Sequence, residues 1–146
     1  MKKPPQTLKT LLWVNELKEN LAREEFQRAK RSLRELEEML AEISSLPRKL
    51  YDELTERPVS GEELRFFSSQ VEQLLEEKKR VEEILAQKRE EVERLRKKAL
   101  YLHQRRRMAE ILWQRAREHY LKNLFQSELK EIEDQILARR KQDEGL

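Results

Sequence analysis

Residues 60–75 have the sequence SGEELRFFSSQVEQLL, which begins the long helix against which the rest of the chain packs. A serine followed three residues later by a glutamate is a capping box, in which the Ser60 hydroxyl accepts a hydrogen bond from the backbone N–H of Glu63. Pro58 disfavours helical geometry in the residue before it and so separates this helix from the preceding chain. The stretch therefore predicts a helix that begins at about residue 61.

Apolar residues continue from this start with alternating spacings of three and four, which is typical of a coiled-coil seam. The seam positions are Leu64, Phe67, Val71, Leu74, Lys78, Val81, Leu85, Lys88, Val92, Leu95, Ala99, Leu102, Arg106, Ala109, Trp113, Ala116 and Tyr120. After residue 121 the apolar residues move to a new frame, so the stripe rotates around the helix. One helix over about 61–141 explains the whole pattern.

A second series of regularly spaced apolar residues precedes the serine cap and supplies a partner. Between Phe26 and Ile43 the spacing again alternates between three and four. Pro47 predicts a kink or an end of this helix, and short connections favour antiparallel neighbours. We therefore expect an all-α fold, an antiparallel coiled-coil hairpin in a single domain over 1–146, with helices over about 6–46 and 61–141 and a hairpin end over about 47–60.

The register of the hairpin leaves part of the second helix without a partner. If Leu54 faces Leu64, then Phe26 lies near Val92, and the N-terminus of the first helix lies beside residue 110 of the second helix. The overhanging residues beyond that point include many apolar side chains. An apolar stripe of that size in water indicates a binding surface.

The composition excludes several classes of protein. Charged residues make up 42% of the chain, the mean hydropathy is −0.98, and there is no cysteine. The high charge and low hydropathy are typical of a long helical protein. The absence of cysteine excludes disulfides and thiolate metal sites. Residues 1–5 precede an apolar run too short for a signal peptide, and no window approaches 18 apolar residues, so we expect a cytosolic protein.

Positive charge is concentrated in one segment, 94–107, which has no acidic residue. Its basic residues are Arg94, Arg96, Lys97, Lys98, Arg105, Arg106 and Arg107. Three interpretations remain open: ion pairs with Glu16, Glu19, Glu24 and Glu25 of the first helix, an acidic protein partner, or a nucleic acid or membrane surface. Nucleic acid is the weakest of these, because only Tyr101 interrupts the run with an aromatic ring.

Nothing in the sequence indicates catalysis, a metal site or a cofactor. His103 and His119 are sixteen residues apart and have no ligand partner at a recurrent metal-binding offset. The chain has no glycine-rich phosphate loop, and a pair of helices offers no concave pocket for a small-molecule substrate. We therefore expect a protein that is not an enzyme.

Three motifs lie at the expected places in this architecture. They are Phe67-x3-Val71-x2-Leu74-Leu75, Met108-Ala109-Glu110-Ile111-Leu112, and the closing Glu128-x-Lys130-x-Ile132-Glu133-Asp134-x3-Ala138-Arg139-Arg140. Together with the length and the helix order, they resemble the flagellar export protein FliJ family and its YscO-type virulence counterparts. The closing motif of that family ends in Asp-Glu, whereas this chain has Glu133-Asp134.

The resemblance implies a stalk-like coiled coil that is a monomer on its own and lies peripherally at the cytoplasmic face of the inner membrane. Its implied partners are the hexameric export ATPase (FliI-like), the cytoplasmic domain of the export gate (FlhA-like) and export chaperones, in flagellum biogenesis and motility or in virulence secretion. The gate-contact residues would be Phe67, Val71, Leu74 and Lys78. The ring-contact residues would be Arg105, Arg106, Arg107, Leu112, Trp113, Tyr120 and Leu124.

Two other functions compete with this one. The first is a structural homo-oligomeric coiled-coil scaffold, in which the overhang pairs with its own copy. The second is a basic helical protein that binds nucleic acid.

Overall fold

The computed structural model describes residues 3–145, so the expectation for the extreme N-terminus falls partly on residues 1 and 2, outside this range. Two α-helices are present, α1 over Gln6–Thr55 and α2 over Gly61–Glu144, and no strand occurs within residues 3–145. The predicted all-α pair of long helices is confirmed. Contacts group into two units, residues 3–20 with 101–145 and residues 21–100, and both helices contribute to each.

The start of α2 follows from its cap. The backbone N–H of Glu63 donates to the Ser60 hydroxyl oxygen at 3.2 Å, and that of Leu64 donates to the Ser60 carbonyl at 3.1 Å. Glu62 and Glu63 place negative charge in the first turn, where it stabilises the helix dipole. The helix start predicted from the sequence is confirmed.

The first helix does not end before Pro47, as the sequence predicted, but continues through it to Thr55. Proline has no N–H to donate and its ring crowds the preceding turn, which costs about 3 kcal/mol inside a helix. The turns beyond it offset this cost, because Leu50 and Leu54 are half-buried and line a groove with Phe67 of α2. Burial of a leucine side chain contributes about 1.5–3 kcal/mol.

Replacing Pro47 with alanine is expected to raise the free energy of unfolding by about 1–2 kcal/mol. Alanine restores the missing N–H and the helix propensity, while the greater freedom of the unfolded chain offsets part of the gain. Urea denaturation followed by circular dichroism measures the change. The exposed control Lys49→Ala should shift stability by less than about 0.5 kcal/mol. A loss of stability in Pro47→Ala would mean that the helix is interrupted at this residue.

In the unit formed by residues 21–100, the two helices run antiparallel. Lys98 Nζ lies 3.6 Å from a carboxylate oxygen of Glu25, and Arg89 Nη2 lies 3.8 Å from that of Glu37. Residue numbers of the paired side chains therefore rise along α1 as they fall along α2. Ala29 is almost fully buried in this seam, and so small a residue allows the backbones to approach closely.

The predicted register is wrong by one to two helical turns. It placed Phe26 near Val92, whereas Glu25 contacts Lys98. The reason lies at the hairpin end, where Leu54 shares a groove with Phe67 and not with Leu64. Leu64, in the first turn of α2, is 53% exposed and does not line that groove.

In the unit formed by residues 3–20 and 101–145, α1 accompanies only part of α2. Ala109 and two polar residues of α1, Asn15 and Glu19, are buried where the helices meet. Since Glu19 contacts Arg106 and α1 begins at Gln6, α2 has no partner helix beyond about residue 120 among residues 3–145. The predicted overhang of the second helix is confirmed, although it begins about ten residues later than expected.

Candidate partner-binding surfaces

The four residues assigned to the export gate lie along the seam of unit 21–100. Phe67, Val71, Leu74 and Lys78 are all half-buried. Phe67 shares a groove with Leu54, and Leu74 shares the next groove with Leu50. The structure therefore places them together on one face of α2, but that face is packed against α1.

Other residues of the hairpin end are more accessible to a partner. Leu64, Phe66 and Leu75 are 53%, 66% and 53% exposed, respectively. Phe66 also lines the groove at the hairpin end, which has a volume of about 400 Å³ and a rim that includes Glu62 and Glu63. Exposed apolar side chains beside a groove are the part of this region that a partner could contact first.

The three consecutive arginines assigned to the ring have three different environments. Arg106 donates from Nε to Glu19 and from Nη1 to Oε2 of Glu110, the latter at 2.6 Å, and Arg107 lies 3.3 Å from the same Glu110 oxygen. Arg105 instead donates to the Tyr101 hydroxyl at 2.9 Å, with its guanidinium 5.7 Å from the ring centroid. Among the described residues, only Arg105 of the three has no carboxylate partner.

A cluster of ionisable side chains around one buried carboxylate, here called the Glu19 cluster, lies in the seam at this level. The side chain of Glu19 is only 3% exposed, accepts from Arg106, and has Oε1 2.8 Å from Nδ1 of His103. One turn earlier, buried Asn15 donates from Nδ2 to the Leu11 carbonyl at 2.8 Å. Glu19 meets both of its partners in one alignment of the helices only, so it fixes the register, whereas the Asn15 hydrogen bond lies within α1 and is the same in any alignment.

Sequence reasoning missed Asn15 and Glu19 as seam residues because it followed apolar side chains alone. The signal was present, since steps of four and three residues counted back from Phe26 reach Ala22, Glu19 and Asn15. The apolar residues Leu17 and Leu21, which the pattern favoured, are instead about half exposed. Continuing the period through polar positions would have placed the seam correctly.

Most of the basic segment 94–107 is paired with carboxylates. Lys98 pairs with Glu25 and Arg106 with Glu19, so ion pairing with α1, one of the three open interpretations, occurs at those two acids. Arg96 pairs within α2, donating to Glu93 at 3.0 and 2.7 Å, which holds the pKa of the Glu93 carboxyl below its usual value. Glu24 pairs with Arg28 of its own helix.

The remaining ring residues divide between two faces of α2. Trp113 and Tyr120 are half-buried and continue the seam toward α1, whereas Leu124 is half-buried beyond the start of α1 and Leu112 is 46% exposed on another side of α2. Replacement of Trp113 or Tyr120 would therefore perturb folding.

The overhang of α2 displays an apolar stripe that the ring assignment did not include. The stripe, here called the overhang stripe, consists of Leu121, Phe125, Leu129, Ile132 and Ile136, which are between 44% and 62% exposed. Phe125 follows the seam residue Ala116 by nine residues, or about two and a half turns, so the stripe faces away from the side that packs on α1. It has coiled-coil spacing and no partner helix within residues 3–145.

No family model, curated protein or solved structure matches the chain. Neither helix, over the residues described, contains a stretch long and apolar enough to cross a bilayer. The same residues include no group of three His, Asp or Glu side chains that could hold a metal ion. What the chain does must therefore be inferred from its own surfaces.

Proposed function

We propose that this chain is the stalk-like component of a type III protein export apparatus, similar in role to the flagellar export protein FliJ. It binds the hexameric export ATPase, promotes ring assembly and ATP hydrolysis, and contacts the cytoplasmic domain of the export gate. It works at the cytoplasmic face of the inner membrane, peripherally and without enzymatic activity of its own. The observation that carries the proposal is the overhang stripe on an unaccompanied length of α2.

The overhang has the dimensions and chemistry to enter a narrow opening in a ring. A single helix with its side chains is about 10–12 Å across, roughly half the width of a helix pair. Its five stripe residues remain largely exposed, so their apolar surface is available for burial against a partner. If the overhang binds one ring conformation more tightly than another, it shifts the ATPase population toward that conformation.

The gate contact is assigned to the exposed residues of the hairpin end. Leu64, Phe66 and Leu75 replace Phe67, Val71 and Leu74 as the first points of contact, because the latter are half-buried against α1. A gate domain could reach the buried set only by displacing α1.

The test is ATP hydrolysis by the cognate export ATPase at increasing concentrations of this chain, alongside sedimentation of the chain alone. We expect a monomer that raises the rate. Unchanged hydrolysis across the titration would exclude the stalk role.

A second candidate, the homo-oligomeric scaffold, is favoured by one observation. Phe125, Leu129, Ile132 and Ile136 have the alternating four-three spacing that would also pair with a second copy. A stable dimer in sedimentation, together with no effect on hydrolysis, would support the scaffold. Nucleic-acid binding is less favoured, because four cations of the basic segment (Arg96, Lys98, Arg106 and Arg107) are paired with carboxylates.

A further inference from the structure

A second apolar surface lies in the groove between the two helices, in the unit that residues 3–20 form with residues 101–145. Its walls are Leu11 of α1 and Tyr101, Met108 and Leu112 of α2, which are between 41% and 64% exposed. Its floor includes Ala109, which is only 3% exposed. The groove encloses about 310 Å³, so it is concave, with a small residue beneath and large apolar residues at the sides.

The cations along this groove lack carboxylate partners. Arg105 lines the groove and donates a hydrogen bond to the Tyr101 hydroxyl. A guanidinium has five N–H donors, and none of those of Arg105 is paired with a described carboxylate. Lys18 follows Leu11 by seven residues and Arg115 follows Met108 by seven, so both share the faces that line the groove. No ion pair joins Lys18 or Arg115 to an acid within residues 3–145.

The opposite side of the same helix pair has the reverse arrangement. There Glu19 and Glu110 neutralise Arg106 and Arg107, and His103 lies against Glu19. Because the helices are antiparallel and Glu19 is level with Arg106, Lys18 is level with Arg107, and Arg105 lies about 3 Å from that level along the groove, less than one helical turn. Lys18 and Arg105 thus lie within one helical turn of each other along the helix axis on the groove side, and no described acid lines the groove between them.

We propose that this groove binds an amphipathic helix of a protein partner, with its apolar face between Leu11 and Met108 and its flanking carboxylates on Arg105 and Lys18. A helix laid into a groove between two others buries apolar side chains at regular spacing. Arginine suits the contact because its planar fork binds a carboxylate with two parallel hydrogen bonds. A flat anionic bilayer would match the charge but could not reach the recessed floor at Ala109.

This surface is separate from the overhang stripe. Leu112 lies on a different side of α2 from Leu129, seventeen residues or about four and three-quarter turns away. The groove is also accompanied by α1, which the overhang is not. Binding at the groove therefore does not depend on the ring contact proposed above.

The experiment selects peptides against the full chain. The probe is a displayed library of 18-residue helical peptides with leucine or methionine at seam positions and glutamate, lysine, glutamine or alanine elsewhere. We expect the enriched peptides to be rich in glutamate. For an enriched peptide, Arg105→Glu should weaken binding at least about tenfold, because it replaces a charged hydrogen bond with repulsion. Met108→Glu should weaken it similarly.

The matched control is Arg117→Glu, an exposed arginine of α2 that does not line the groove. It should leave peptide affinity unchanged, and circular dichroism should show the same helix content in all three variants. Enrichment without glutamate, or binding that survives both groove variants, would overturn the proposal.

Vesicles containing phosphatidylserine test the bilayer directly. Binding to them that Arg105→Glu abolishes, with no peptide enriched, would assign the groove to a membrane surface instead.

Discussion

Replacing both Phe125 and Leu129 with serine is expected to abolish the proposed stimulation of the export ATPase while leaving helix content and melting temperature unchanged. The two side chains are 62% and 44% exposed and face away from α1, so their loss removes no seam contact. Burial of each against a partner contributes about 1.5–3 kcal/mol, and losing both weakens binding by roughly 10²- to 10⁴-fold. A titration of hydrolysis rate against concentration of the variant measures the loss.

The control for this variant is Met39→Ser with Tyr51→Ser, at positions 49% and 61% exposed on α1. It removes similar apolar surface and similar helix propensity outside the overhang, and it should stimulate like the unaltered chain. Stimulation by Phe125→Ser with Leu129→Ser at ordinary concentrations would remove the overhang stripe from the ring contact. A dimer that falls apart in the same variant would instead identify the stripe as a contact between copies.

The sequence predicted the seam of α2 almost completely, because helix geometry alone dictates it. Every predicted seam position except Leu64 is buried or half-buried. The end of α1 was predicted less well. The rule that proline breaks a helix is local, and at Pro47 it is outweighed by burial of Leu50 and Leu54 against α2, which depends on the tertiary structure.

The register and the surfaces could not be predicted in the same way. Seams made mostly of apolar residues fit one another in several alignments, and the contact that selects one joins Glu19 to Arg106, 87 residues apart. Arg105 and Arg106 are adjacent in sequence but differ by about 100° around the helix, so one faces a groove and the other a buried acid. Likewise, Phe67 and Leu74 match a gate motif and a seam equally well.

Replacing Glu19 with alanine is expected to lower the free energy of unfolding by about 2–4 kcal/mol. The carboxylate is 3% exposed and Arg106 is 22% exposed, so removing the acid leaves a largely buried cation with one partner fewer. Glu110 still pairs with Arg106, so the loss of stability is smaller than for a buried charge left without any partner. Urea denaturation measures it, with the exposed Glu16→Ala as a control expected to change stability by less than about 0.5 kcal/mol.

The reason for this loss is tested by replacing both partners. Glu19→Leu with Arg106→Leu should be more stable than either single variant, because an apolar pair leaves no buried charge unmatched, and the coupling energy should be about 1–3 kcal/mol. The double variant should also allow more than one register, since no polar contact selects among them. Nitroxide labels at Lys18→Cys and Gln104→Cys, in a chain without natural cysteine, would report this as a broadened distance distribution. Additive single losses with an unbroadened distribution would show that the Glu19 cluster neither couples to Arg106 nor sets the alignment of the helices.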